Sequence, residues 1–231
     1  MSTGAMSESL VSTQVPAVHE YPGATARSTP SSEAEPSLSS SDFRKRFTIA
    51  ELETLYELGF IDEDVERYEL IDGDLIAMSR ILEPHASCVN RLNMKIPERL
   101  GTRVTCLVHN PIYISETSQP QPDFAIAHRR EDGYLVHARP DELYLVIEVM
   151  DSSGPKDRRV KIPLYARAGI RETWLIDIPG LLIEQHRNPV DGVYSERLIL
   201  RPGQSIAPAA FPELVLTVSD ILGLPEGESE S

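Results

Sequence analysis

From Thr48 onward the chain switches repeatedly between two hydrophobic periods. Ile49, Leu52, Leu55 and Leu58 recur at helical spacing behind the capping box Thr48-Ile49-Ala50-Glu51, and Gly59 stands where that helix should end. Tyr68-Glu69-Leu70-Ile71 and Leu75-Ile76-Ala77-Met78 flank Asp72-Gly73-Asp74, a strong hairpin signal. Glu83-Pro84-His85 opens a second helix running to about Leu100, with Val89, Leu92 and Ile96 on one face. Pro97 is expected to kink that helix or stop it early.

Strand patterns follow: Val104–Val108, Ile112–Ile114, Asp123–Ala127 and the apolar run Tyr144–Val149. That last run reads as a central strand covered on both faces. A helix is expected from about Asp157 to Ala168, ended by Gly169, with Pro163 distorting its first turn. Thr173–Ile178, Leu182–His186 and Arg197–Leu200 read as strands, and a last segment runs from Leu214 to Leu222. The order predicts an α/β (α+β) fold: one central mixed β-sheet flanked by helices.

Composition divides the 231 residues into three stretches. Residues 1–46, rich in Ser, Thr, Pro and Ala, read as a disordered leader, and residues 224–231 as an acidic tail. The span between them, residues 47–223, is the expected folded domain. It carries 28 acidic and 18 basic side chains of a whole-chain net charge of -14. A phosphate-binding surface gains affinity from clustered Lys and Arg, so the mean field excludes a generic nucleic-acid coat. Any action on nucleic acid must use a local patch. Arg129, Arg130, Lys156, Arg158 and Arg159 are the candidates near the motifs. Two cysteines, Cys88 and Cys106, make neither a disulfide framework nor a four-ligand zinc site. With no apolar run long enough to cross a bilayer and no secretory leader, the expectation is a reduced, cytoplasmic setting without a membrane.

Four polar features fall where a core-building sequence would not put them. Gln121-Pro122-Asp123 sets a carboxylate at the start of an apolar strand. Glu148 interrupts Leu145-Val146-Ile147-Glu148-Val149, where an unpaired ionised carboxylate would cost several kcal/mol. It must meet a cation or take up a proton. Asp157, Lys161 and Tyr165 follow at i, i+4, i+8 and line one helical face, which an exposed ion pair would explain equally well. Glu69 lies in the hairpin, and His85 at the start of the next helix. Two carboxylates on neighbouring strands can bind one or two Mg²⁺ ions. Lys161, on the next helix, can reach the same place to hold a water and offset developing charge.

These stretches resemble the Uma-two family of putative restriction endonucleases, within the PD-(D/E)xK nuclease superfamily. The resemblance rests on Tyr68 to Gly73, Gln121-Pro122-Asp123, Leu145 to Val149, Asp157 to Ile170 and Thr173-Trp174-Leu175-Ile176-Asp177, and covers roughly residues 47–223. It implies a restriction-endonuclease-like core. It also implies Asp123 and Glu148 as metal ligands and Glu69 as an additional acidic contact to metal or water. The superfamily's usual lysine position holds Met150 here, which makes Lys161 the substitute. Tyr165 joins the catalytic set, with His85 and Asp157 as possible supporting residues. The implied reaction is Mg²⁺- or Mn²⁺-dependent hydrolysis of phosphodiester bonds in DNA.

A homodimer is expected on the ground that two sites address two strands. The competing reading is a nuclease-fold protein used as a non-catalytic binding or assembly module, which the acidic domain favours. An enzyme acting on a small phosphate-bearing molecule ranks third, because the chain has no Gly-rich phosphate loop.

Overall fold

The computed structural model describes residues 44–62, 64–151 and 154–225, with backbone alone at 154–157. The leader expected over 1–46 falls outside the described residues up to position 43, and so does the acidic tail from position 226.

Helix α1 (Ile49–Glu57) starts where the capping box requires. The Thr48 hydroxyl accepts from the Glu51 N–H at 3.2 Å, and the Glu51 carboxylate accepts from the Thr48 N–H at 2.9 Å. Strands β1 (Tyr68–Ile71) and β2 (Asp74–Ala77) form the expected antiparallel hairpin, with Asp72 and Gly73 as its two turn residues. Both have positive φ, 49° and 81°, the signature of the turn whose twist matches a hairpin. The hairpin docks through the Gln119 N–H, which donates to the Leu70 carbonyl at 2.7 Å.

Helix α2 (Glu83–Leu100) buries Cys88, Val89, Leu92, Ile96 and Leu100 along one stripe. Pro97 does not stop it. The proline sits in the last turn, where the apolar stripe still holds the backbone and the Gly101 N–H caps the Pro97 carbonyl.

The main sheet has six strands in the order β3 (Val104–Val108), β4 (Phe124–His128), β5 (Leu143–Met150), β6 (Glu172–Asp177), β7 (Leu182–Val190) and β8 (Val193–Leu200). Only β5 and β6 run parallel, joined by helix α3 (Gly154–Arg167) as the crossover. This is the mixed, helix-flanked α+β sheet that the sequence predicts. A short pair, β9 (Ser205–Ile206) with β10 (Leu216–Thr217), leads into α4 (Val218–Leu222).

Three expectations need correction. Ile112–Ile114 forms no strand: Ile112 makes one isolated bridge to Ala138, and Pro111 and Pro120 deprive the segment of ladder donors. Helix α3 starts at Gly154, earlier than the expected Asp157, and runs through Pro163, with Ile162, Leu164 and Tyr165 buried. Strands β7 and β8 are longer than their apolar runs and meet at Asp191-Gly192, another two-residue turn with positive φ.

Strand β5 is central and buried along almost its whole length. Leu145, Ile147 and Val149 face the core under α2, while Val146 faces the core that contains Leu164 and Tyr165 of α3. Glu148 shares the parity of Val146, so alternation points it toward α3. The sheet therefore presents a carboxylate to the helix that carries Lys161.

Candidate active site

Glu148 is 1% exposed, and the cation its burial demands comes from α3. Lys161 Nζ lies 3.1 Å from Glu148 Oε2 and 2.9 Å from Glu69 Oε1 on β1. The Tyr165 hydroxyl, one helical turn on, donates to Glu148 Oε1 at 2.5 Å. Lys161 also reaches the Gln121 carbonyl at 3.5 Å. A hairpin, a central strand and a helix thus converge on one ammonium.

Asp123 sits just before β4. Its Oδ2 accepts the Val149 N–H at 2.7 Å and so extends the β4–β5 ladder by one step with a side chain. Its Oδ1 faces two imidazoles: His85 Nε2 at 3.0 Å and His109 Nε2 at 3.5 Å. Burial alone would raise the Asp123 carboxyl. The contacts with His109 and His85, with added attraction from the His85 and Lys161 charges, outweigh it and hold the group well below the usual carboxylate range. Asp123 is an anion here.

These groups share one cavity of about 100 Å³, lined by Glu69, His85, Asp123, Glu148 and Lys161 among others. Six of the seven residues singled out in the sequence therefore meet: these five at the cavity and Tyr165 behind Glu148, fully buried. The side chain of the seventh, Asp157, lies outside the described residues.

Sequence reasoning missed three others. His109 follows β3 with φ 52°, and its carbonyl accepts from the Gln121 side-chain amide at 2.6 Å. Asp151, just past β5, lines the cavity, and its Oδ2 is buried without a hydrogen bond among the described residues. Gln121 is only 9% exposed and also accepts from Arg67 at 3.0 Å. His109 is placed by register: β3 pairs antiparallel with β4 through Val108 and Phe124, so one further step sets His109 opposite Asp123, a pairing the strand pattern alone does not give.

Of the five basic candidates near the motifs, Arg159 is exposed, the side chain of Lys156 lies outside the described residues, and the other three are paired. Arg129 pairs with Glu131, Arg130 with Asp132 and Glu142, and Arg158 with Glu184 and Asp177. Arg67 and Arg80 line the cavity instead. Among the described residues no helix is long and apolar enough to cross a membrane. Cys88 and Cys106 are free thiols that burial pushes up to about 12 and about 11, far from a reactive thiolate.

No curated protein matches the chain. Among solved structures it is similar to the crystal structure of a putative nuclease belonging to DUF820 from Anabaena variabilis. The two share 18% identity with a TM-score of 0.60, over 73% of this chain and 97% of that one. At that identity the likeness is one of fold. The Uma2 family model, described as putative restriction endonuclease, matches residues 49–219, from the first helix into the last. The match takes in every strand of the main sheet and every residue lining the cavity, so the chain belongs to the Uma2 family of putative restriction endonucleases.

Proposed function

We propose that the protein is a metal-dependent endonuclease that hydrolyses phosphodiester bonds in DNA. One observation carries this reading: Asp123, Glu148, Glu69 and Lys161, drawn from four separate segments, line a single cavity with the ammonium seated between two carboxylates. Nothing in core packing calls for three acids and a lysine in one place, and burying them costs several kcal/mol before pairing.

The donors fit a divalent ion. Asp123 and Glu148 bring carboxylate oxygens from neighbouring strands to one cavity, and carboxylates are ordinary ligands for Mg²⁺ and Mn²⁺. Asp123 and Glu148 would hold Mg²⁺ or Mn²⁺, with Glu69 as a further contact to metal or water. Each carboxylate oxygen has a second lone pair, so Glu148 can hold Lys161 and Tyr165 and still face a cation. When bound, the ion polarises a phosphoryl oxygen and makes a water nucleophilic near neutral pH.

The chain's own side chains supply the rest. Lys161 orients the attacking water and offsets negative charge growing on the phosphoryl oxygens, while Glu69 and Glu148 fix the ammonium in place. Tyr165 locks the Glu148 rotamer from behind. The water oxygen bonds to phosphorus and gives its proton to a carboxylate of the site. The bond from phosphorus to the leaving sugar oxygen breaks, and that oxygen takes a proton from solvent. Arg67 and Arg80 bring positive charge to the cavity for the flanking phosphates, and two copies of the chain act as a pair on the two strands.

The test is cleavage of duplex, single-stranded and branched DNA by purified protein with Mg²⁺ or Mn²⁺, with an Asp123→Asn protein as control. Metal-dependent cutting by wild type alone supports the reading, and no cutting of any substrate refutes it. The binding-module reading draws support from the paired state of Arg129, Arg130 and Arg158, three of the five basic candidates near the motifs. Capture of DNA without cleavage in the same assay would favour it.

A further inference from the structure

The cavity holds a second donor set beside the carboxylate–lysine cluster. His85, His109 and Asp123 each bring one ligand atom, a ring nitrogen or a carboxylate oxygen, to within 4.8 Å of the others. His85 Nε2 and His109 Nε2 stand 3.0 and 3.5 Å from Asp123 Oδ1. Ligands about 2.1 Å from a common ion stand about 3.0 Å apart at right angles and about 3.4 Å apart at the tetrahedral angle. The two nitrogen–oxygen separations are those of neighbouring ligands around one ion.

A purely hydrogen-bonded trio explains less. Among the described residues His109 Nε2 is buried yet makes no hydrogen bond at its 3.5 Å separation, an arrangement that costs about 1–3 kcal/mol unless something else satisfies the nitrogen. His109 is also held in place at a cost: its φ is 52°, and Gln121 grips its carbonyl at 2.6 Å. The two rings are nearly parallel, 17° apart with centroids at 6.2 Å, and both direct Nε2 at Asp123. Asp151, with a buried oxygen that lacks a hydrogen bond among the described residues, lines the same cavity.

We propose that His85, His109 and Asp123 form a three-point site for a first-row transition-metal dication and that the site discriminates against Mg²⁺. Imidazole nitrogen suits Zn²⁺, Fe²⁺ and Ni²⁺, and Mn²⁺ accepts it, whereas Mg²⁺ keeps to oxygen ligands and water. This makes nitrogen ligands, and not the carboxylates alone, the selector of the nuclease's metal. Its meaning for catalysis rests on the nuclease reading, while the binding itself does not.

The experiment is calorimetric titration of untagged, chelator-treated full-length protein with Zn²⁺, Mn²⁺ and Mg²⁺ in turn. Co²⁺ serves as a probe through its visible absorption. One equivalent of transition metal should bind, with Mg²⁺ at least about tenfold weaker. His85→Ala and His109→Ala should each weaken binding by about tenfold or more and remove the Co²⁺ spectrum, while His186→Ala should bind as wild type. His109→Asn, with thermal unfolding of the metal-free protein, guards against a folding defect. Equal affinity for Mg²⁺, unchanged binding in the histidine variants, or no binding at all overturns the inference. Cleavage is scored separately. DNA cut undiminished by His109→Ala in Mg²⁺ leaves the nuclease reading standing without this one. A histidine-bound metal without any cleavage does the reverse.

Discussion

Lys161 and Glu148 are thirteen positions apart in sequence and 3.1 Å apart in space, and the ammonium that joins them is 9% exposed. The parallel crossover makes this possible: β5 ends at Met150, and α3 returns over the face to which Glu148 points. Glu69 closes the group at 2.9 Å from the same nitrogen. Removing the lysine would leave two buried carboxylates without their cation, which costs about 3–5 kcal/mol. Lys161→Ala should therefore lose at least about a hundredfold in DNA cleavage and also unfold at lower urea. The double variant Glu148→Gln with Lys161→Met removes charge from both sides. It should recover much of the urea midpoint while staying inactive, which separates the chemical loss from the structural one.

Tyr165 touches the site through its 2.5 Å hydrogen bond to Glu148. Tyr165→Phe keeps the ring in its buried slot and removes the hydroxyl that makes that bond. A hydrogen bond to a charged acceptor is worth about 1.5–3 kcal/mol, so chemical denaturation should show a loss in that range. Cleavage should fall less than in Lys161→Ala, because the ammonium stays anchored by Glu69. An equal fall would give the phenol a direct part in the reaction.

Much of this site was legible before any coordinates. Glu148 announced itself as a charge in a run with no polar alternation, an anomaly that called for a cation or a proton, and Lys161 is the cation that meets it. Asp72-Gly73 gave the hairpin and with it Glu69, because only such a turn reverses the chain in two residues. What stayed hidden depends on register. Asp123 lies abreast of His109 on one side and Glu148 on the other, one step beyond the Val108–Phe124 and Phe124–Ile147 pairs. Strand pattern alone does not say which strands neighbour each other, so His109 looked like an ordinary strand-end residue. Neither Pro97 nor Pro163 ends its helix, because burial of the apolar stripes on α2 and α3 outweighs one lost backbone bond in each.

A second buried acid sets the pH response of stability. Burial would raise the Glu184 carboxyl, but Arg158, Arg197 and His186 outweigh it and lower the group below its ordinary 4.5. Burial lowers the neighbouring His186 below its ordinary 6.5, against the pull of Glu184. In both cases the unfolded chain binds more protons than the folded one, so stability rises with pH through each window. Acidification should thus cost stability first as pH falls below 6.5 and again below 4.5. Thermal unfolding at stepped pH should show both losses. His186→Gln should lack the upper one and keep the lower, and an unchanged profile in that variant would contradict the assignment.

Arg158 reaches from α3 to Glu184 on β7 at 2.8 and 2.5 Å and to Asp177 on β6 at 3.3 Å. It ties the first turns of α3 to the sheet three positions before Lys161. Glu184 keeps Arg197 and His186 when this arginine is removed, so it is not left as an orphaned charge. Arg158→Ala should therefore cost only about 1–2 kcal/mol of stability. Its effect on cleavage should be larger than that loss implies, because an ångström of play at the helix start misplaces the Lys161 ammonium against the phosphate, and such a shift can cost about a hundredfold. The comparison that decides is turnover at saturating DNA against the unfolding midpoint. A turnover near wild type in a mildly destabilised Arg158→Ala protein would mean that α3 is positioned by its buried face alone.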